Sequence, residues 1–307
     1  PLESPRSSTQ WSSTASTVAS SIPMKISCII PVSKKDSESE NLKALLASIK
    51  AQDFCDVEII TVTEGDSESA KAIGIRKSTG EICAMFCTDN VLNFHWIFSE
   101  VHKMFVRNPE VTGIYSERYS LSDDKNSLNR YFSLIGGNDP ISYYLKKNDR
   151  RPYWEMKDEV EYSKVSFFNK VPSLGDNGFF YRKSHLLKAD LDHYYPMDCA
   201  VDIVNKGYRN FIRIGYSYIW HRTSDNLILF LFKRYKYARD LYCDRDDRRW
   251  KMLDTGEDYR RLIWFVIATL TVVPSIAVSL RGFLKVRDFS WFWHWPVCFG
   301  FLITYTI

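Results

Sequence analysis

At 307 residues, with a formal net charge of +4 and 25% charged residues, the chain can hold one large α/β domain of roughly 200 to 250 residues plus an appendage. Its 7 cysteines are odd in number and form no C-x-x-C pair, so neither a disulfide framework nor a zinc site is indicated and a reducing, cytoplasmic compartment is expected. Neither G-x-G-x-x-G nor G-x-x-x-x-G-K-[ST] occurs, which argues against a dinucleotide dehydrogenase and a P-loop nucleotidase.

Residues 1–23 are rich in Ser and Thr, carry Pro5 and Pro23, and show no apolar periodicity. Such a segment buries too little to order itself and reads as a disordered tail or an expression remnant, with Met24 as the natural start. Residues 26–32 form a short continuous apolar run, the mark of a strand buried on both faces of a parallel sheet. A helical spacing comes next over 37–51, with Leu42, Leu45, Leu46 and Ile49 on one face. The stretch 57–62 reads as a second buried strand and 70–77 as a second helix, ended by Gly80. A third strand, 82–86, runs into Cys87, Thr88, Asp89 and Asn90.

This βαβαβ beginning predicts an α/β fold with a Rossmann-like, mostly parallel central sheet flanked by helices. Ligands collect at the carboxyl ends of such strands, so Pro31, Val32, Ser33, the 63–66 turn and the 87–90 turn are expected to line one crevice. There Glu64 could accept hydrogen bonds from a nucleobase and Lys71 could reach phosphates. Asp89 could hold Mg²⁺ or Mn²⁺ through a diphosphate, because these hard cations take few protein ligands and use phosphate oxygens for the rest.

Later in the chain a short helix is expected over 198–207, with Asp198 as its N-cap in the plainest reading. A strand is expected over 212–220, followed by His221. Lys and Arg crowd 233–261, interleaved with Tyr235, Tyr237, Tyr242 and Trp250, so 223–261 reads as amphipathic basic helices lying at anionic headgroups. The apolar tail beyond this basic segment argues against nucleic acid as its partner. Residues 262–280 and 289–307 are two charge-free apolar stretches of a length that spans a bilayer, predicting a membrane hairpin with the main domain on the cytoplasmic face.

Certain runs carry a resemblance. Glu58-Ile59-Ile60-Thr61-Val62-Thr63-Glu64-Gly65-Asp66 comes after a first strand that ends in Pro31-Val32. Ala70-Lys71-Ala72-Ile73-Gly74 is next, and Gly80-Glu81 leads to Cys87-Thr88-Asp89-Asn90. Over residues 24–222 the chain resembles the family-2 glycosyltransferases of the GT-A fold, which implies a nucleotide-sugar half at 24–115 and an acceptor half at 116–222. The resemblance places Glu64 at the base-binding acidic position and Asp89 as the metal-binding second carboxylate of a D-x-D motif. Cys87 stands at the first position of that motif, a soft thiol in place of a hard oxygen ligand, and Thr63 replaces a further acid.

The segment Gly175-Asp176-Asn177-Gly178-Phe179-Phe180-Tyr181-Arg182 is similar to the family's G-x-N-x-x-F-R-R loop. That similarity makes Gly175, Asp176, Asn177 and Arg182 acceptor-binding. Pro196-Met197-Asp198 occupies the neighbourhood of the family's Glu-Asp pair, which implies Asp198 as general base. The helix after it is shorter than the family's, so Asp202 and Asp176 remain alternatives. Trp220-His221-Arg222 resembles the place of a His that completes metal coordination. Asp246-Asp247-Arg248-Arg249-Trp250 is similar to the Q-x-x-R-W motif of membrane-bound members without its Gln, adding Arg249 and Trp250 to the acceptor side.

The implied activity is inverting transfer from a nucleotide-diphosphate sugar to a polyprenyl phosphate, a polyprenyl-diphosphate saccharide or another saccharide, assisted by Mn²⁺ or Mg²⁺ at a membrane. Two other readings stand beside it. One is a nucleotidyltransferase or pyrophosphorylase, whose glycine-rich loop is missing after the first strand. The other is a membrane-tethered scaffold in which Thr63 and Cys87 mark a lost donor site.

Overall fold

The computed structural model describes residues 24–121, 125–155, 161–168 and 170–306, so the expected 1–23 tail and Ile307 lie outside the described residues. The chain opens with β1 (Ile26–Pro31), α1 (Glu40–Lys50), β2 (Val57–Val62), α2 (Ser67–Lys77), β3 (Ile82–Met85), β4 (Asn90–Leu92), α3 (Ile97–Arg107) and β5 (Gly113–Ser116). It continues through α4 (Ser127–Ile135), α5 (Pro140–Leu145), β6 (Tyr162–Ser166), β7 (Phe179–Arg182), α6 (Lys183–Leu186), α7 (Pro196–Asn205), β8 (Asn210–Ile214) and β9 (Ile219–His221). Four longer helices close it: α8 (Leu227–Cys243), α9 (Gly256–Leu270), α10 (Val273–Lys285) and α11 (His294–Thr306), the last preceded by a 3-10 turn at Phe289–Trp293.

Local chemistry explains the early elements. Every residue of β1 is buried, as a central strand covered on both faces requires. The Ser39 hydroxyl accepts from the Leu42 amide at the start of α1. Asp66 and Ser69 form a reciprocal capping box at the start of α2, satisfying amides that the first helical turn leaves orphaned. Helix α2 lies flush on β1 through Gly74, where a Cβ would come within 2.5 Å of the Ile29 side chain.

Seven strands form one sheet in the order β2-β1-β3-β7-β5-β8-β6. The pairs β1/β2, β1/β3 and β5/β8 are parallel, whereas β3/β7, β5/β7 and β6/β8 are antiparallel. The sheet is therefore mixed but mostly parallel in direction, as expected: β2, β1, β3, β5 and β8 run one way, and β7 and β6 the other. Its first three strands obey the parallel expectation, and β7, inserted between β3 and β5, reverses it. One apolar cluster joins the sheet to α1 and α3, and a second joins the opposite face to α2 and α7. The expected strand over 212–220 is two strands in two sheets: the chain turns after Ile214, and β9 leaves to pair with β4 alone.

The edge where β1, β2 and β3 begin is tied by Glu58. Its carboxylate accepts from Ser27 Oγ at 2.5 Å and from the Thr79 amide at 2.6 Å, and pairs with Lys25 at 3.2 Å. Partial burial alone would raise its pKa, but these bonds outweigh it and hold the group at about 2 against an ordinary 4.5. A depressed folded-state pKa means stability that is present above the unfolded value and lost as pH falls through the folded one. Urea unfolding at stepped pH should therefore show stability declining between about 4.5 and 2, and Glu58→Gln should start lower at neutral pH and flatten that decline. An unchanged acid limb in the variant would remove Glu58 from this role.

The C-terminal helices do not form a separate layer. A third apolar cluster joins Tyr131, Phe132 and Leu145 of α4 and α5 to Phe230, Phe265 and Phe301 of α8, α9 and α11, so the packing unit of the chain's end begins well before residue 222. Neither expected membrane span is one continuous helix. Residues 262–280 are broken between α9 and α10, which meet at 93°. Residues 289–306 are a 3-10 turn followed by the 13-residue α11. Among the described residues no single helix is long and apolar enough to cross a membrane.

Candidate active site

The turn after β3 is built to present one carboxylate. The Asn90 amide donates to the Cys87 carbonyl, and Asn90 Oδ1 accepts from the Cys87 amide at 2.9 Å. Asn90 also begins β4, which pairs antiparallel with β9 so that Asn90 stands opposite His221. This register sets His221 Nε2 3.4 Å from Asp89 Oδ2. Burial would lower the His221 pKa, but the adjacent Asp89, with Asp149 and Asp176 further off, reverses the sign and raises it.

Two cavities meet at this turn. The first, about 870 Å³, is lined by Pro31, Val32, Ser33, Thr88, Asp89 and Arg222 among others. The second, about 770 Å³, is lined by Asp149, Asp176, Asn177, His221, Arg248 and Trp250 among others. Asp89, Cys87, Lys233 and Tyr237 border both. The last two belong to α8, which lies over the junction.

A hydrogen-bonded chain links the two sides. Asn90 Nδ2 donates to Asn177 Oδ1 at 3.2 Å, Asn177 Nδ2 donates to the Tyr119 hydroxyl at 3.1 Å, and that hydroxyl donates to Asp149 Oδ2. Asn177 adopts φ 55°, and Arg150 holds it there by donating to its carbonyl at 2.9 Å. Asp149 is raised in pKa: burial raises it, and Arg150 and the Tyr119 hydrogen bond reverse only part of the shift.

Several expected site residues stand elsewhere, each for a physical reason. Glu64 is exposed and pairs with Lys77 at 3.4 Å outside both cavities, whereas Asp66 and Ser67 of the same turn face inward. Lys71 is buried and locked to Asp176 at 2.5 Å. Burial would depress the lysine and elevate the acid, but their mutual attraction wins and keeps both charged. Lys71 is thus a support beneath the cleft rather than a phosphate ligand. Arg182 lies at the far end of β7, donating to the carbonyls of Val111, Phe105 and Asn108, so it is an end tie of the sheet rather than an acceptor ligand. Gly175, at φ 118°, lines neither cavity; a Cβ there would come within 2.7 Å of the Pro196 carbonyl oxygen and of the Tyr181 hydroxyl, so the position serves packing.

The expected base is also displaced. Asp198 is fully buried, one oxygen 2.8 Å from Arg248 Nε and the other accepting from the Trp250 amide at 2.8 Å. With both oxygens occupied, it is an anchor for the 248–250 segment rather than a cavity-facing base. Asp202 pairs with Arg249 at 3.0 Å and accepts from the Asp190 amide, which takes both Asp202 and Arg249 out of the cleft. Trp250 and Asp176 do border the second cavity. Sequence reading missed Asp149, Tyr119 and Arg222. Asp149 lies in a loop of polar residues with no periodicity to mark it.

The chain matches no protein-family model and no curated protein sequence. Solved structures of similar shape include the mannosyltransferase PcManGT from Pyrobaculum calidifontis in complex with GDP-Man and Mn²⁺, at 11% identity and TM-score 0.47, covering 93% of this chain and 88% of that one. S. aureus TarS aligns at 11% identity and TM-score 0.44, covering 84% of this chain and 45% of that chain. The present chain thus spans less than half of TarS. Glucosyl-3-phosphoglycerate synthase from Mycobacterium tuberculosis, in complex with Mn²⁺ and UDP-glucose, aligns at 12% identity and TM-score 0.41 over 72% of this chain and 79% of that one.

The donor set at the cavity junction suits a hard divalent cation that brings much of its own shell. Among the described residues no group of three or more His, Cys, Asp or Glu converges on one point. Asp89 offers one donor beside an open cavity, and His221 Nε2, 3.4 Å from it, would offer a second once a cation displaces its proton. The Cys87 thiol, raised well above its ordinary pKa by burial and by Asp176, stays protonated and adds none. Two protein ligands completed by phosphate oxygens and water is a normal arrangement for Mg²⁺-type ions.

Proposed function

We propose that the chain is an inverting glycosyltransferase of GT-A type, with a nucleotide-diphosphate sugar in the first cavity and the acceptor in the second. The observation that carries this reading is the position of Asp89, with His221 beside it, on the wall common to two cavities that are each of ligand-binding size. A bond exchanged between two substrates has to form at such a junction. Mn²⁺ or Mg²⁺ held by Asp89 and His221 would neutralise charge growing on the leaving diphosphate.

Asp149 serves as the base on the acceptor side. It borders the second cavity, and Tyr119 fixes its carboxylate by holding one oxygen. It takes the proton of the acceptor hydroxyl as that oxygen attacks the anomeric carbon. The bond from that carbon to the diphosphate oxygen breaks on the opposite face, and the nucleoside diphosphate departs. Burial raises the proton affinity of Asp149, which suits it to a task worth about 10²–10⁴-fold when a base is well placed. Lys233, Lys236 and Arg248 border the same cavity, and Arg248 Nη2 is buried without a hydrogen-bond partner among the described residues. These groups favour an acceptor that carries phosphate: a polyprenyl-diphosphate saccharide, whose sugar hydroxyl Asp149 would deprotonate, or a polyprenyl phosphate, whose anionic phosphate oxygen would attack with no proton to remove.

Calorimetry with UDP and GDP, with and without Mn²⁺, tests donor binding. Uptake of one nucleotide that strengthens with metal is the expected result, and no binding of either would favour the scaffold reading. Product analysis then separates the chemistries: nucleoside diphosphate is expected, and released pyrophosphate would indicate a nucleotidyltransferase.

A further inference from the structure

Helix α10 turns its large apolar residues outward. Its buried face is Ser275, Ser279 and Gly282, while Val273, Ile276, Leu280 and Leu284 are exposed at spacings of three and four. The inward serines satisfy themselves locally: Ser275 Oγ donates to the Ala268 carbonyl at 2.9 Å, and Ser279 Oγ to the Ser275 carbonyl at 3.2 Å. Helix α9 repeats the outward stripe with Tyr259, Ile263, Ile267 and Leu270. In water a surface helix carries the opposite pattern. Small residues packed inward with large aliphatic residues outward is the arrangement a hydrocarbon exterior selects, because there is nothing to gain from hiding apolar side chains.

Geometry limits how deep this surface reaches. The 15 residues of α9 and 13 of α10 span about 22 and 20 Å at 1.5 Å per residue, each short of a hydrocarbon core of roughly 30 Å. They meet at 93° across Val272, a β-branched residue at φ 63°. Charge defines the rim. Each acid of 256–306 is paired: Glu257 with Arg260 and Arg261, Asp258 with Lys147, and Asp288 with Arg130. Arg281, Lys285 and Arg287 at the end of α10 are exposed and form no ion pair among the described residues.

We propose that the outward faces of α9 and α10 insert into one leaflet of an anionic lipid bilayer, with the Leu270–Val273 corner lowermost and Arg281, Lys285 and Arg287 at the headgroups. The chain is then held on the membrane without crossing it. This docking goes beyond the transfer reaction and stands without it.

The test is flotation of the full chain with phosphatidylcholine vesicles, with and without phosphatidylglycerol. The chain should float with the anionic vesicles and more weakly with the neutral ones. Leu280→Asp should lower partition by more than about tenfold while leaving the melting temperature near that of the parent. Phe168→Asp, at a more exposed aromatic on the α/β body, should float as the parent does. Equal loss in both variants, or a parent chain that stays unbound and instead forms a concentration-dependent dimer broken by Leu280→Asp, would overturn the proposal. Depth is read from a fluorophore on Val273→Cys in a background where exposed Cys55 and Cys243 are replaced by Ser. Quenching by groups on the near-leaflet acyl chains is expected. Quenching by an impermeant agent trapped in the vesicle lumen would show a crossing and refute one-leaflet insertion.

Discussion

Asp89→Ala is expected to lower sugar transfer by on the order of 10²–10³-fold, the scale on which loss of one preorganised charge-stabilising group acts, and to abolish the metal-dependent part of nucleotide binding. The expectation rests on geometry. Asp89 Oδ2 faces His221 at 3.4 Å, Oδ1 accepts from Asn90 Nδ2 at 3.2 Å, and the side chain borders both cavities. The turn itself is held by backbone bonds that alanine keeps, including the Arg222 amide to the Asp89 carbonyl at 2.9 Å. The melting temperature should therefore move little. Full metal-stimulated turnover in the variant would end the metal assignment.

The second large effect separates stability from chemistry at two aspartates. Asp198→Asn leaves the buried Arg248 guanidinium without its counter-charge. Removing one partner of a buried pair costs about 3–5 kcal/mol, which for a chain of this size is a fall in melting temperature on the order of 10 °C. Asp149→Asn should lower it less, because the buried Arg150 faces that carboxylate only at 3.7 Å and keeps its bonds to Ser116 and the Asn177 carbonyl, while turnover falls by about 10²–10⁴-fold. Thermal unfolding and transfer rates measured on both variants decide it. A cold, slow Asp149→Asn beside a thermally intact, inactive Asp198→Asn would return the base to Asp198.

What could be read from sequence depended on the reach of the interactions involved. Strands β1 to β3 announce themselves because a strand covered on both faces must be continuously apolar, and the helices between them carry their own caps. The Asp89 turn was legible for the same reason: it comes directly after β3. The pairing of Asp89 with His221 rests on β4 and β9, three residues each, too short to show periodicity, and only the motif resemblance pointed to it. Lys71, Glu64 and Arg182 have residue types that suit a phosphate, a base or an acceptor. Their direction is fixed by partners from distant parts of the chain, such as Asp176 for Lys71. Asp149 gave no signal at all, since an acid between polar loop residues looks solvated until Tyr119 closes on it.

The chain's end shows a different limit. Apolar content fixed how much hydrocarbon-like surface 262–280 carries, but not its shape, because one backbone torsion at Val272 turns a span into a corner. Pro274 is the local mark of that corner. It sits in the first turn of α10, where proline is tolerated because the missing amide would be unbonded there in any case.

Helix α8 touches three things at once: Lys233 and Tyr237 border both cavities, and Phe230 packs into the cluster that holds α9 and α11. Any shift of this helix that tightens one substrate must, by thermodynamic reciprocity, be tightened by that substrate in turn. On the proposed roles of the two cavities and of α9 and α10, such a shift would tie the affinity of the first cavity to what the second contains, and both to lipid beneath the C-terminal helices. Such a protein would take its substrates in a preferred order set by its surroundings, faster where a bilayer steadies α8 than in free solution.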